Sequence, residues 1–159
     1  MTYPEAAAYL ADKPLIFFYQ SACYSISRER RWFRRRYVFQ PTFGTPQRAK
    51  ALLRLWTDVT FPDGTPLGQG VGDAIPWADA ALNSYGGVCH LVMVYGLEIR
   101  FQYGGRFYWI AHTGTGQSHL SEEGGSCQFF SSREELFEKA RLDGKSLEAL
   151  WPLVTEVDY

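Results

Sequence analysis

The order of apolar and polar positions along the chain is similar in its two halves. The segments IFFYQSACYSIS (16–27) and RFQYGGRFYWIA (100–111) each contain two short aromatic-rich stretches with a two-residue break between them. Their alignment places Phe17 on Phe101, Tyr19 on Tyr103, Tyr24 on Tyr108 and Ile26 on Ile110. Aromatic and β-branched residues favour strands, and the Gly104-Gly105 pair favours a tight hairpin turn. Each half is therefore predicted to contain an antiparallel pair of strands.

A helical pattern follows the strands in each half. FGTPQRAKALLRLW (43–56) and FFSSREELFEKARL (129–142) each contain an aromatic residue, a possible N-cap and an amphipathic run. Thr45-Pro46 predicts a helix that ends near Asp58, and Ser131 or Ser132 predicts a helix over about 133–142. An Asp-Gly pair follows each run, at 63–64 and at 143–144. The repeated pattern thus extends beyond the strands.

Together these patterns predict an α+β protein with antiparallel sheet. Each of two tandem repeats contains a helix, three antiparallel strands and a second helix, and the helices cover the sheet. The predicted boundaries are 1–62 for the first repeat, 63–75 for a connection rich in Gly and Pro, and 76–159 for the second repeat. The 159 residues suit two copies of about 70–80 residues. We expect the copies to pack as one compact unit around a pseudo-two-fold axis.

Composition narrows the class of protein. Hydrophobic residues make up 46% of the chain, which is enough for a core, but no segment approaches the roughly 18–20 apolar residues of a membrane span. The N-terminal residues lack the basic start and the apolar stretch of a signal peptide. Cys23, Cys89 and Cys127 are an odd number at unrelated spacings, which argues against a disulfide framework. We therefore expect a cytoplasmic protein that does not bind membranes.

The net charge of −1 conceals an uneven distribution. Residues 1–60 carry ten Lys and Arg against four Asp and Glu, whereas residues 61–159 carry six against thirteen. The first part therefore has a charge of +6 and the second a charge of −7. Regions of opposite charge accelerate the encounter with charged partners.

The basic run SRERRWFRRRYVF (27–39) is the most distinctive surface feature of the sequence. If it forms a single strand, one side carries Arg30, Trp32, Arg34 and Arg36, and the other carries Arg31, Phe33, Arg35 and Tyr37. Arginines and aromatic residues are typical of protein-binding hot spots. The same residue types also hold phosphates and stack on the bases of single-stranded nucleic acid. A solvated hairpin whose aromatic residues pack on the core is a third interpretation.

A second candidate surface is acidic and lies in the other half of the chain. Its residues are Glu122, Glu123, Glu134, Glu135 and Glu138. Glu134 and Glu138 are neighbours on one helix face at i, i+4. The group fits a solvated loop and helix face, and it also fits a mimic of nucleic acid that binds a basic toxin or nuclease.

The residue types used in catalysis and metal binding form no complete motif. His112 and His119 flank TGTGQS, which lacks the Lys of a phosphate-binding loop, and zinc would need about four ligands with close pairs. We predict a polar loop here. Cys23 or Cys127 could pair with a histidine as a nucleophile, although a buried cysteine usually acts as a small hydrophobic residue. We therefore expect no metal, no cofactor and no enzymatic activity, unless Cys127, His112 and His119 meet in one cleft.

The second half also carries a longer pattern, F-x-Y-x-G-K-x-Y-x-I followed by F-x-S-x-E-E-L and D-G-K-x-L-x-x-[IL]-W. The matching residues are Phe101, Tyr103, Gly105, Tyr108, Ile110, Phe130, Ser132, Glu134, Glu135, Leu136, Asp143, Gly144, Lys145, Leu147 and Trp151. Over these roughly 60 residues the chain resembles a group of small proteins of Gram-positive bacteria and their mobile elements that has no assigned activity. Arg106 replaces the usual Lys. The resemblance implies the genetic context of phages and integrative elements, which often encode immunity proteins, anti-defence inhibitors and small regulators.

We predict a non-enzymatic protein-binding inhibitor or immunity-type protein from a phage or mobile element, of the anti-CRISPR, anti-defence or toxin-neutralising kind. It would bind a protein target such as a nuclease or toxin stoichiometrically through complementary charge, as a monomer or a homodimer. The alternative is a single-stranded nucleic-acid-binding protein that uses residues 28–39. The predicted binding residues are Arg30, Arg31, Trp32, Arg34, Arg35, Arg36, Glu122, Glu123, Glu134, Glu135 and Glu138.

Overall fold

The computed structural model describes residues 1–31, 34–71, 75–76 and 83–159. The chain divides into two compact units, Met1–Asp79 (unit 1) and Ala80–Tyr159 (unit 2). Both units combine helices with antiparallel sheet, so the predicted α+β class is confirmed. Among the described residues, no helix has the length and apolar character needed to cross a membrane.

In the described part of unit 1, five strands form one antiparallel sheet in the order β4-β3-β2-β1-β5. The strands are β1 (Leu15–Tyr19), β2 (Ala22–Arg31), β3 (Arg34–Pro41), β4 (Gln47–Ala49) and β5 (Ile75–Pro76). The helices are α1 (Tyr3–Tyr9), α2 (Leu52–Asp58) and the short α3 (Leu67–Gly70). At the start of α1, the backbone N–H of Thr2 donates to the Glu5 carboxylate at 2.6 Å, as in a capping box.

The core of unit 1 lies between one face of this sheet and the helices. Strand alternation places Phe17, Tyr24 and Phe39 on that face, and α2 contributes Leu52 and Leu55. Phe61, from the segment after α2, lies edge-on to the rings of Phe17, Tyr24 and Phe39 and stacks on Tyr19. Burial of these rings supplies much of the hydrophobic stabilisation of unit 1.

The first helix in the described part of unit 2 is α4 (Tyr85–His90), which continues as a π-helical turn (Leu91–Tyr95). Its main sheet, as far as the structure describes it, has five antiparallel strands in the order β12-β6-β7-β8-β9. These are β6 (Ile99–Tyr103), β7 (Arg106–His112), β8 (Ser118–Glu122), β9 (Cys127–Phe130) and β12 (Thr155–Asp158). Between β9 and β12 lie α5 (Arg133–Lys139), the two-residue strands β10 (Arg141–Leu142) and β11 (Lys145–Ser146), α6 (Leu147–Leu150) and a 3₁₀ turn (Trp151–Leu153).

One face of the unit 2 sheet is buried. Its alternating positions include Phe101 and Tyr108, whose rings stack at 5.6 Å, and Trp151 packs on Phe101 at 5.2 Å. The indole N–H of Trp151 donates to the carbonyl of Asn83 at 2.6 Å, so this buried side chain keeps a hydrogen bond. Leu136 of α5 is fully buried as well. The opposite face of the sheet is partly open to solvent, and Trp109 of β7 is exposed there.

The first two strands of each main sheet pair in the same way. Phe17 lies opposite Tyr24 in unit 1, and Phe101 lies opposite Tyr108 in unit 2. The turn residues between these strands all have positive φ, at Gln20 and Ser21 in one unit and at Gly104 and Gly105 in the other. The hairpin predicted around Gly104-Gly105 is thus confirmed.

Two predictions about local structure are wrong. The helix expected from Thr45-Pro46 begins only at Leu52, because Gln47–Ala49 pairs with β3 as strand β4. The main sheet of each unit contains five strands within the described residues, where three were expected. In unit 2, β8 and β12 account for the difference.

Residues 63–71 of the expected connection belong to unit 1, where Leu67 and Val71 are buried.

Candidate interaction surfaces

The basic run forms two paired strands, and not the single strand considered as one possibility from the sequence. β2 ends at Arg31 and β3 begins at Arg34, and the register places Arg30 opposite Arg35 and Arg31 opposite Arg34. Residues that face each other across an antiparallel pair share a face of the sheet. Arg30 and Arg35 therefore lie on one face and Arg36 on the other. Trp32 and Phe33 lie outside the described residues.

These paired segments extend beyond their neighbouring strands. The last pair between β1 and β2 is Leu15 with Ile26, and the last between β3 and β4 is Tyr37 with Ala49. Within the described part of the sheet, residues 29–31 pair only with residues 34–36, and Arg28 pairs with Tyr37. We call residues 28–31 and 34–36 the arginine arm.

The arginine arm concentrates positive charge in an exposed place. Arg30, Arg34, Arg35 and Arg36 are exposed, and none of them forms an ion pair with a carboxylate of the described residues. A groove of about 370 Å³ is lined by Arg34, Arg35, Arg36 and Lys50. Like charges this close repel one another, and a bound anionic group would relieve that repulsion.

The arm also contains residues that anchor it to unit 1. Arg28 donates a hydrogen bond to the carbonyl of Ala11 at 2.7 Å. Glu29 is the acidic residue of the arm, and its carboxylate lies 3.9 Å from the guanidinium of Arg48. The carboxylate of Glu29 therefore lies near strand β4. The positive charge of the arm stays largely uncompensated.

Three of the five predicted acidic residues are engaged within unit 2. The carboxylate of Glu122 lies 3.3 Å from Arg106, and that of Glu123 lies 3.3 Å from Arg100. Glu135 accepts hydrogen bonds from Lys139 at 2.8 Å and from the backbone N–H of Ser131 at 2.7 Å. These bonds, with one from the Ser131 hydroxyl, lower the pKa of Glu135 to about 2.

Glu134 and Glu138 differ from the other three acidic residues. Both are exposed on α5, and neither side chain forms an ion pair with a described residue. The predicted acidic surface thus contains carboxylates with different roles, since Glu135 stabilises the start of its own helix.

The His and Cys side chains are divided between the two faces of the unit 2 sheet. His112 ends β7 and His119 lies in β8, and the polar loop predicted between these two histidines is present at residues 113–117. Ala111 is opposite His119, so His112 lies on the other face from His119. Ser121 is opposite Cys127, which places Cys127 on the face of His119. The register therefore separates His112 from the other two residues.

Cys23, Cys89 and Cys127 form no disulfide with one another and lie in different environments. Cys23 and Cys89 are buried, whereas Cys127 is exposed. Burial raises the pKa of Cys89 to about 12, so this thiol keeps its proton at neutral pH and is a poor nucleophile. No group of three or more His, Cys, Asp or Glu side chains in the described part of the chain is arranged to hold a metal ion.

Two features of these surfaces were missed from the sequence. Lys50 joins the arginine groove through pairing of β4 with β3, and no local pattern indicates such a contact. Trp109 and Phe107 lie on the face of β7 that points away from the core. Their alternation with Tyr108 and Ile110 was visible in RFYWIA and could have indicated two aromatic residues outside the core.

Comparisons with known proteins give no identity for the chain: no family model, no curated protein and no solved structure matches it.

Proposed function

We propose that this protein binds another protein stoichiometrically and that the arginine arm is its main contact surface. The observation that carries the proposal is the set of exposed arginines without carboxylate partners among the described residues. Arginine is enriched at protein-binding hot spots because its planar group makes several directed hydrogen bonds and also packs on apolar surface. An acidic target surface would complete the interactions that unit 1 leaves open.

The arm also has geometry suited to recognition. Strand β3 carries Arg34, Arg35 and Arg36 at consecutive positions, and its pairing with β2 sets the faces on which these side chains lie. Long-range attraction between the arm and an acidic surface would raise the association rate, and close ion pairs would slow dissociation. We include Arg31 and Trp32 in the proposed contact on sequence grounds. Glu122, Glu123, Glu134, Glu135 and Glu138 would form a second, acidic contact in unit 2.

The kind of target is proposed from the sequence resemblance. Mobile-element proteins of this size often neutralise a nuclease or toxin, and we propose that this chain acts as such an inhibitor or immunity protein without catalytic activity. A cytoplasmic location follows from that role.

Single-stranded nucleic acid is the second candidate partner. The groove lined by Arg34, Arg35, Arg36 and Lys50 favours it, because four cations without a described carboxylate suit a phosphate backbone. Such binding would weaken steeply with added salt. Protein binding through a few ion pairs and packed side chains would depend on salt less strongly.

We also propose that the two units arose by duplication of one α+β repeat and pack around a pseudo-two-fold axis. The support for duplication is the shared strand order and the shared register of the first two strands. Each unit also places an Asp-Gly pair, at 63–64 and at 143–144, between its second long helix and the next short one.

A charge-reversal experiment tests the function. The double variant Arg34→Glu/Arg36→Glu would be compared with Arg54→Glu, which changes an exposed arginine on α2 outside the arm. Tagged proteins would capture partners from nuclease-treated and untreated host lysate, and the captured species would be identified by mass spectrometry. Binding of labelled oligonucleotides would be measured at several salt concentrations.

We expect wild type and Arg54→Glu to retain one nuclease-resistant protein partner that the double variant loses. Capture of the same partner by the double variant would refute the role of the arm. Loss of all partners after nuclease treatment, together with steep salt dependence of oligonucleotide binding, would instead support the nucleic-acid function.

A further inference from the structure

A row of side chains crosses the whole unit 2 sheet on the face opposite its core. Register partners place Asp158 beside Arg100, Arg100 beside Trp109, Trp109 beside Ser121 and Ser121 beside Cys127. Trp109 is 38% exposed although it lies in the middle of the sheet. Exposed Leu97 and Tyr159 line the same groove as Trp109, and a group of exposed apolar side chains is typical of an interaction site.

A groove of about 450 Å³ lies along the β12 side of this face. Its lining residues are Leu97, Glu98, Arg100, Trp109, Asp158 and Tyr159. Like Trp109, Leu97 and Tyr159 have large hydrophobic side chains that are exposed. The groove thus combines aromatic walls with carboxylates, and its volume suits one or a few side chains of a partner.

Arg100 of this chain already places a cationic group on this face of the sheet. Its guanidinium lies 3.6 Å from the ring centroid of Phe107 and 5.8 Å from that of Trp109. Glu123 lies 3.3 Å from the same guanidinium, and Asp158 lies 4.0 Å from it. A cation over aromatic rings with carboxylates at its rim is a favourable arrangement.

Charge decides what the groove can bind. The carboxylates of Glu123 and Asp158 lie near Arg100, and Glu98 lines the same groove, so the described residues here carry excess negative charge. A phosphate group would be repelled. A further cation could approach the exposed side of Trp109 and be compensated by Glu98 and Asp158, which are both exposed.

We propose that this groove, which we call the acidic-aromatic groove, binds an extended protein segment that presents an Arg or Lys side chain. The cationic group lies against Trp109 and pairs with Glu98 and Asp158, and the apolar stem of the side chain packs on Leu97. This surface lies in unit 2 and uses none of the residues of the arginine arm. It therefore remains testable whether or not the proposed function of the arm is correct.

The test uses a fluorescein-labelled peptide of repeated Gly-Ser-Arg triplets and the full-length protein, with binding followed by fluorescence anisotropy. The first variant is Glu98→Gln/Asp158→Asn, which removes two exposed charges. The second is Trp109→Leu, which removes the ring. The matched control, Asp143→Asn/Glu148→Gln, removes two exposed carboxylates of unit 2 that belong to neither proposed contact surface. A peptide in which Gln replaces Arg serves as the neutral probe.

We expect saturable binding of the Arg peptide and none of the Gln peptide. Each groove variant should weaken binding by about 2- to 30-fold, since exposed ion pairs and cation–π contacts are modest individually. The Asp143→Asn/Glu148→Gln control should bind like wild type. Absence of saturable binding would overturn the proposal. So would equal losses in this control and in the groove variants, because binding would then depend only on net charge.

Discussion

Arg30 lies directly opposite Arg35 across the arginine arm, so two like charges project from the same face of an antiparallel pair. Like charges at such positions destabilise a sheet, whereas an opposite pair would stabilise it. Both side chains are exposed, and no described carboxylate neutralises them. This repulsion weakens unit 1 in the absence of a partner, and an acidic target would remove it.

Replacement of one of these arginines should therefore stabilise the free protein. We expect Arg35→Thr to raise the free energy of unfolding by about 0.2–1 kcal/mol, because it removes the repulsion and introduces a residue with high strand propensity. Urea denaturation measures the change. Arg48→Thr is the control, since Arg48 lies near Glu29 and should give no gain. A loss of stability in Arg35→Thr would show that the guanidinium supports the arm.

Phe61 should be among the most costly residues to truncate in unit 1. Its ring is 2% exposed and lies 4.0 Å from Tyr19, 5.0 Å from Tyr24 and 5.8 Å from Phe39 between centroids. Phe61→Ala should lower the free energy of unfolding by about 3–5 kcal/mol through lost burial and a residual cavity. The exposed Phe43 is the matched control, and its replacement by Ala should change stability by less than about 0.5 kcal/mol. Similar losses in both variants would contradict this account of the core.

The sequence predicted best those elements that depend on local pattern. Strands β6 and β7 alternate apolar and polar residues around Gly104-Gly105, and Ser132 caps α5 by accepting a hydrogen bond from the N–H of Glu135. Both signals are contained within a few residues of chain. The α+β class follows from them. The tandem repeat and its pseudo-two-fold axis stay predictions.

The elements that were missed form through pairing between distant or weakly patterned segments. β4 follows a Thr-Pro pair that favours a helix start, but hydrogen bonds to β3 outweigh this local preference. β8 contains polar residues between two glycine-rich turns, so only Leu120 and the buried Ser118 mark its inner face. The acidic-aromatic groove depends on neighbours such as Asp158 and Arg100, which are far apart in sequence. Candidate sites built from such pairs require the three-dimensional register.

The matched turns of the two units provide a reciprocal test of backbone strain. Ser21 has φ of 66° and Gly105 has φ of 78° at equivalent positions of their hairpins. Left-handed backbone costs a residue with a side chain about 1 kcal/mol, and glycine avoids this cost. Ser21→Gly should therefore stabilise unit 1 by about 1 kcal/mol, whereas Gly105→Ser should destabilise unit 2 by a similar amount.

Thermal and urea denaturation of both variants would measure these opposite changes. Apart from the adjacent residues in sequence, no heavy atom of the described residues lies within 4 Å of the position of a Cβ at Gly105, so steric clash would not contribute to the loss there. Changes of the same sign in the two variants would contradict the assignment of strain to these turns.

The ion-paired Glu135 should make the protein less stable in acid. Its bonds to Lys139 and Ser131 lower its pKa from 4.5 to about 2 in the folded state. A group with a lowered folded-state pKa stabilises the fold above its unfolded value, and this contribution is lost as the pH falls towards the folded-state pKa. The free energy of unfolding should thus decrease between about pH 4.5 and pH 2 in wild type, and this decrease should be smaller in Glu135→Gln. Glu134→Gln, which changes the exposed neighbour on the same helix, should retain the wild-type slope. Urea denaturation at a series of pH values measures each slope, and an identical profile for wild type and Glu135→Gln would show that these bonds do not stabilise the fold.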